Sequence, residues 1–390
     1  MLEMNNIIFW QPIPSIHQSA LVRALAARHG VSVIYVAERD VDQHRLAMGW
    51  NFPDFGAARI IVAPPKKTWR NLVDELDTPS AHHIIGSFGS FPLSRYAAQR
   101  LLARGSRCVV YTEIPNEITR KGIYRLRRIA AYMRDKVRSE FLNWRYLDLI
   151  LATGDLGAKW HVKVGFSETK VFPFAYFTET GAYRHTPVTT NCTIVRISYV
   201  GQLVGLKGLD CLFNALALIK NQNWQIDIVG DGMLREGLGV LAGRLGITDR
   251  ISWHGWLANH EAVDVIAASD LLVLPSYYDG WGAVVGEALL QGVPVITTDA
   301  CGSEVLVRAS GFGEVVPAAD TATLAVAIGT VVSKGKLPKA LRERIRRWAT
   351  NCISGEAGAD YLIDILKYKY EGAPRPKAPW ERLESVGLIT

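Results

Sequence analysis

Several things are scarce or missing in this sequence, and each absence excludes something. No apolar run approaches the roughly 20 residues needed to span a bilayer, so a spanning helix is not expected. The five cysteines, Cys108, Cys192, Cys211, Cys301 and Cys352, form no Cys-x-x-Cys pair and share no zinc-ligand spacing with a histidine. They read as reduced, mostly buried thiols in a reducing compartment. The opening Met1-Leu2-Glu3-Met4-Asn5-Asn6 carries neither a basic stretch nor a long apolar one, so no signal peptide is expected and the reading is cytoplasmic. No short repeat and no low-complexity tract stands out. No basic motif interleaved with aromatics marks a nucleic-acid module, so nucleic acid is not an expected partner.

What is present is globular material. Of 390 residues, 49% are hydrophobic and 21% charged. That supplies apolar side chains for two cores and argues against disorder as the main state. The formal net charge of +7 suits anionic partners without choosing among them.

Short β-rich runs alternate with longer helical patterns, which predicts parallel α/β sheets. In the first half, strands are expected at 6–10, 31–37, 59–63, 82–86, 107–112, 148–153 and 170–174, with a helix over 17–29. A second series starts near Cys192. It has strands at 193–200, 224–229, 251–254, 271–274 and 293–297, and helices at 207–219 and 233–245. The polar stretch 178–191 breaks both periods and is the best linker. A late helix is expected at 355–370, then an extended Pro-rich tail at 372–381. The domain reading is 1–180, then 190–352, then 353–390 returning to the first domain.

The most informative segment is Pro275-Ser276-Tyr277-Tyr278-Asp279-Gly280-Trp281-Gly282, followed by Glu287-Ala288-Leu289 and Gly292-Val293-Pro294-Val295. A buried strand ends at Pro275, a glycine loop follows, and a helix opens near Ala283. Helix N-termini offer unpaired amides and a positive dipole end, which suit phosphate. Glycine lets backbone approach a ligand closely. Carboxylates at Asp279 and Glu287 can hydrogen-bond sugar hydroxyls. The bland alternative is a loop with a helix-capping acid.

This segment resembles the donor-site signature of glycosyltransferase family 4, a retaining family of GT-B fold, with Asp279 where that family more often has Glu. Tyr199-Val200-Gly201-Gln202-Leu203 and Lys207-Gly208 resemble its phosphate loop, with Gln202 where Arg is usual. Gly230-Asp231-Gly232 and Arg250–Gly255 fit the intervening pattern and read first as structural glycines and a packed strand end. The resemblance is close over Thr193–Tyr370 and looser before it. It implies two Rossmann-like domains whose parallel sheets face a central cleft. It also implies transfer of a hexosyl unit, with retention, from a nucleoside diphosphate sugar to a hydroxyl acceptor. That sugar nucleotide is a co-substrate; no cofactor and no metal are expected.

In this reading Gly201, Gln202, Lys207, Gly280, Trp281, Gly282, Ala283 and Glu287 bind the donor. Lys207 balances the diphosphate, Glu287 takes the ribose and Asp279 orients the donor sugar. In the N-terminal half, Ser15 and His17 follow the first strand, where relatives carry a glycine loop, and are donor-site candidates; Ser15 as a helix cap is the alternative. Glu113 is the candidate for orienting the acceptor or assisting proton transfer, with pairing to Arg120 as the alternative. Asp40-Val41-Asp42 is assigned to a solvated loop. The stretch 123–144 reads as a basic amphipathic helix, with Ile123, Leu126, Ile129, Met133, Val137 and Phe141 on one stripe. It either lies on anionic lipid at the inner face of the plasma membrane or turns that stripe to the core. The expected setting is bacterial surface polysaccharide or lipid-linked glycan assembly, with a glycan or lipid-linked acceptor. The rivals are a nucleotide-sugar epimerase of related fold and a catalytically silent scaffold subunit.

Overall fold

The computed structural model describes residues 6–47, 49–86, 91–113, 125–141, 143–179 and 193–382. The described residues divide into two compact units. One holds 6–43, 51–179 and 355–378; the other holds 44–50, 193–354 and 379–382. Most of the proposed linker, 180–191, lies outside the described residues.

The first unit is built on β1 (Asn6–Gln11), β2 (Ser32–Ala37), β3 (Arg59–Val62), β4 (Ala81–Gly86), β5 (Arg107–Thr112), β6 (Leu149–Thr153) and β7 (Val171–Phe174). Their order is β3-β2-β1-β4-β5-β6-β7, and each pairing is parallel. The second unit has β8 (Val195–Val200), β9 (Trp224–Val229), β10 (Ile251–Gly255), β11 (Leu271–Leu274), β12 (Val295–Thr298) and β13 (Gly313–Val316). Their order is β10-β9-β8-β11-β12-β13, again parallel throughout. Both sheets therefore begin with the doubly wound order 3-2-1-4-5-6. In each, the order reverses beside the first strand: between β1 and β4, and between β8 and β11. Ligands of such sheets bind beyond the strands' carboxyl ends at that switch point.

Strands covered on both faces have no polar face to show, so they read as continuous apolar runs. Ile7, Ile8, Phe9 and Trp10 of β1 and Leu271, Leu272 and Val273 of β11 are fully buried. This is why these strands are plain in the sequence. β13, Gly-Glu-Val-Val, is the one strand not expected; it lies at a sheet edge with its first two residues exposed, so it carries little of that signal.

Two expectations change. The helix expected over 207–219 begins two residues late. Gly205–Lys207 form a 3-10 turn, Gly208 adopts a left-handed conformation (φ 65°), and the helix runs Leu209–Leu218. The tail does not return as one piece. The helix Gly355–Glu371 belongs to the first unit. There, Cβ atoms at Gly355 and Gly358 would lie 2.4 Å from the Ala20 carbonyl oxygen and 2.4 Å from the Phe177 ring, so close approach requires glycine at both. Pro379–Glu381 instead packs in the second unit, with Trp380 2% exposed and the Pro379 carbonyl accepting from Cys352 Sγ. Residues 44–50 likewise join the second unit, where a Cβ at Gly49 would lie 2.2 Å from the Leu257 carbonyl oxygen.

For the basic helix, Arg125–Phe141, the sequence leaves both readings open; Ile123 lies outside the described residues. Its buried face carries Ala131 and Asp135, while Ile129, Met133 and Val137 are 51%, 52% and 41% exposed. Asp135 anchors the inward face: it accepts from the Arg134 and Arg138 guanidinium groups and from Trp160 Nε1. A buried carboxylate is tolerated only with such charge-assisted partners. The described part of the apolar stripe is therefore not core.

Candidate active site

At the second unit's switch point, the loops leaving β8 and β11 are laced together by backbone. The amides of Tyr277 and Tyr278 both donate to the Leu206 carbonyl, at 2.8 and 3.3 Å. A Cβ at Gly208 would lie 2.2 Å from the Pro275 carbonyl oxygen. The left-handed turn and the tight approach thus both require glycine at 208. The lacing delivers Lys207 Nζ to 2.6 Å from Asp279 Oδ2, with the two side chains 22% and 14% exposed. Tyr277 Oη donates to Asp210 Oδ2 at 2.9 Å, fastening the helix that follows.

Gly201 and Gln202 lie on the same side. The Gly201 amide donates to Val229 and the Gln202 carbonyl accepts from Tyr199 Oη at 2.9 Å. Gly230 and Gly232 support this loop: Cβ atoms there would lie 2.0 and 2.6 Å from the Gly201 and Leu203 carbonyl oxygens.

Beyond Asp279 the chain passes Gly280 and Trp281, turns left-handed at Gly282 (φ 80°) and opens the helix Ala283–Leu290. The Trp281 side chain is 2% exposed, so the indole is interior packing and the loop offers its backbone at this position. Glu287 lies in the second turn of the helix. Burial pushes its carboxyl up to about 7, partly offset by a hydrogen bond from Asn259.

The sequence reading missed the stretch 299–303. It closes the far side of the Asp279 loop. The Asp279 amide donates to Ala300, the Gly302 amide to Asp279 and the Ser303 amide to Trp281, at 3.1, 3.0 and 2.8 Å. Cys301 is fully buried and its Sγ donates to the Trp281 carbonyl. A Cβ at Gly302 would lie 2.2 Å from the Gly280 carbonyl oxygen. The available signal was the pattern already used at 279–283: a glycine just after a buried strand and just before a helix.

In the first unit, Ser15 caps the helix Ile16–Ala26, its side chain accepting from the His17 amide. Glu113, just after β5, is exposed and its Oε1 accepts from Tyr176 Oη; Arg120 lies outside the described residues. The His17 imidazole stacks on the Tyr176 ring, centroids 5.2 Å apart and planes at 8°. So His17 and Glu113, 96 residues apart in sequence, meet through a side chain the sequence reading did not consider. Asp40 and Asp42 lie on the loop after β2. Among the described residues, no group of three or more His, Cys, Asp or Glu side chains could hold a metal ion.

Residues 194–348 match the family described as Glycosyl transferases group 1. D-inositol 3-phosphate glycosyltransferase of Rhodococcus jostii is 32% identical over 197 residues, covering 47% of this chain and 43% of that protein. The lipopolysaccharide core biosynthesis glycosyltransferase LpsE of Rhizobium meliloti is 28% identical over 218 residues, covering 55% and 60%. The chain thus spans about half the length of the curated relatives it matches. Anabaena HepE, solved in complex with UDP and glucose, superposes with a TM-score of 0.66 at 16% identity, covering 94% of this chain and all of that one. Two parallel-sheet α/β units of this order are the GT-B fold.

Proposed function

We propose that the protein is a retaining glycosyltransferase of family 4 that moves a hexosyl unit from a nucleoside diphosphate sugar to a hydroxyl acceptor. The observation that carries the reading is the meeting of Lys207 and Asp279 at a switch point, directly before a glycine-capped helix. Lys207 and the amide end of the helix Ala283–Leu290 offer fixed positive charge to a diphosphate. Asp279 accepts from donor-sugar hydroxyls, and Glu287 accepts from the ribose. In the reaction, the bond from the anomeric carbon to the phosphate oxygen breaks and its electron pair leaves with the diphosphate. The acceptor oxygen bonds to that carbon from the same face. Its proton passes to the departing phosphate oxygen. The positive groups stabilise charge that develops only as the bond breaks, so they lower the barrier as well as aiding binding.

The acceptor side is assigned to the first unit, at Glu113; Ser15 and His17 are assigned to the donor. The acceptor is a glycan or lipid-linked hydroxyl in bacterial surface polysaccharide assembly; similarity to a lipopolysaccharide-core enzyme supports this setting. Among the described residues no helix is long and apolar enough to cross a membrane. The exposed Ile129, Met133 and Val137 lie on a helix that also carries Lys136, which supports peripheral docking on an anionic surface, the inner face of the plasma membrane. The test is a panel of UDP-, GDP-, ADP- and dTDP-hexoses, read for slow donor hydrolysis and saturable binding. One hydrolysed donor is expected; silence across the panel overturns the reading.

A further inference from the structure

Tyr176 stands two residues past β7, and three features fix it. Its ring is stacked on His17. The Tyr111 ring meets it edge-on, centroids 5.9 Å apart and planes at 73°. Its backbone is held one residue earlier, where the Ala175 carbonyl accepts from Tyr111 Oη at 2.8 Å. Tyr111 is itself buried, so this support is rigid. The Tyr176 hydroxyl then donates to Glu113 Oε1. Side chains from the segments after β1, β5 and β7 thus meet beyond the carboxyl ends of one parallel sheet, the side on which such sheets bind ligands.

A carboxylate has about four acceptor directions, so one bond from a tyrosine leaves it able to accept from a hydroxyl as well. The bond fixes the carboxylate's orientation on an otherwise exposed loop. The hydrogen bond from Tyr176 is a contribution that a single conservative change removes.

We propose that Tyr176 is a positioning residue of the acceptor site, which aims Glu113 at the attacking hydroxyl through its own hydroxyl and holds His17 beside it through its ring. This rests on the glycosyl-transfer reading above. It deepens that reading by coupling Glu113 on the acceptor side to His17 through Tyr176.

The test uses hydrolysis of whichever donor in the nucleotide-sugar panel the wild type consumes, with water as acceptor and donor saturating. Tyr176→Phe keeps the ring and loses the bond to Glu113. Its kcat should fall about tenfold, the scale of one hydrogen bond to a charged group, with the donor KM unchanged. Tyr176→Phe added to Glu113→Gln should cost nothing further. Tyr176→Ala, with its thermal midpoint measured alongside, should be worse than Tyr176→Phe. Wild-type kcat in Tyr176→Phe overturns the proposal, as does full additivity with Glu113→Gln. If the wild type consumes no donor, the glycosyl-transfer reading fails and the inference falls with it.

Discussion

The two units use one strand order twice but build their switch-point loops by different means. In the second unit the loops after β8, β11 and β12 are held by backbone: Gly208 against Pro275, Gly302 against Gly280, and Gly230 against Gly201. Side chains are then added at a few points, Lys207, Asp279 and Glu287. In the first unit the segment after β1 has no glycine, and its architecture is made of side chains: Ser15 capping a helix, His17 on Tyr176, Tyr176 on Glu113. A backbone-built site suits a ligand whose phosphates and ribose are constant. A side-chain-built site can be changed residue by residue, which suits the partner that differs among enzymes of one fold.

The comparison is sharpest where a backbone-built site is asked to do chemistry. In the proposed reaction, Lys207→Ala removes one fixed cation from beside the leaving group. Removing one such preorganised donor typically costs about 3 kcal/mol, so kcat should fall roughly a hundredfold or more, while the affinity for donor changes much less. Steady-state kinetics on the hydrolysed donor check this. A loss confined to KM would move Lys207 from chemistry to binding.

Glu287 gives the next largest effect. Its carboxyl is pushed up to about 7 by burial, and accepting from two ribose hydroxyls requires the ionised form. Binding therefore has to release a proton near neutrality. Affinity for the nucleoside diphosphate should be flat well above pH 7 and weaken as pH falls through it, reaching about tenfold weaker per unit below. Glu287→Gln should bind weakly with no such slope, and Glu287→Ala should bind the free diphosphate weakly too. Calorimetry at pH 6 and pH 8 distinguishes the cases; an affinity identical at both values, or normal binding by Glu287→Ala, removes Glu287 from the ribose.

Legibility followed the same division. Both sheets could be read from the sequence because strands buried on both faces are apolar without interruption, as Ile7–Trp10 and Leu271–Leu274 show. The Asp279 and Lys207 loops could be read because glycines at fixed offsets from a strand end and a helix start leave a local pattern. The exact start of the helix after Lys207 could not, since whether Lys-Gly continues a helix depends on the Pro275 carbonyl 67 residues away. Tyr176 was silent for the same reason: its partners are 63 and 159 residues distant in the chain. The helix Arg125–Phe141 is ambiguous in sequence for a more general reason. Its sequence stripe is apolar, but the face turned inward is the one whose acid, Asp135, finds Trp160 and two arginines. Periodicity reports that a helix has two faces, and the partners decide which one is buried.

That helix sets a several-fold effect outside both switch points. The protein should pellet with phosphatidylglycerol vesicles several-fold more than with phosphatidylcholine vesicles, and salt should weaken the binding. Met133→Ser together with Val137→Ser should reduce pelleting and leave donor hydrolysis in solution unchanged. Equal recovery in the supernatant with both vesicle types would rule out electrostatic docking.

The smallest expected effect tests whether the second unit's positive charge is sufficient. A departing diphosphate needs compensation, and enzymes supply it either with a divalent ion or with fixed protein charge. In this unit the candidate fixed charge is Lys207 together with the first amides of the helix Ala283–Leu290, and both are held in place by backbone contacts that need no ion to form. Gln202 supplies no cation of its own. Chelator in excess should therefore leave donor hydrolysis within twofold of its starting rate, in wild type and in Tyr176→Phe alike. If chelator abolishes turnover and added magnesium restores it, Lys207 and the helix are not enough. The backbone-built site would then be a metal-assisted one, and the contrast between the two units would lose its chemical half.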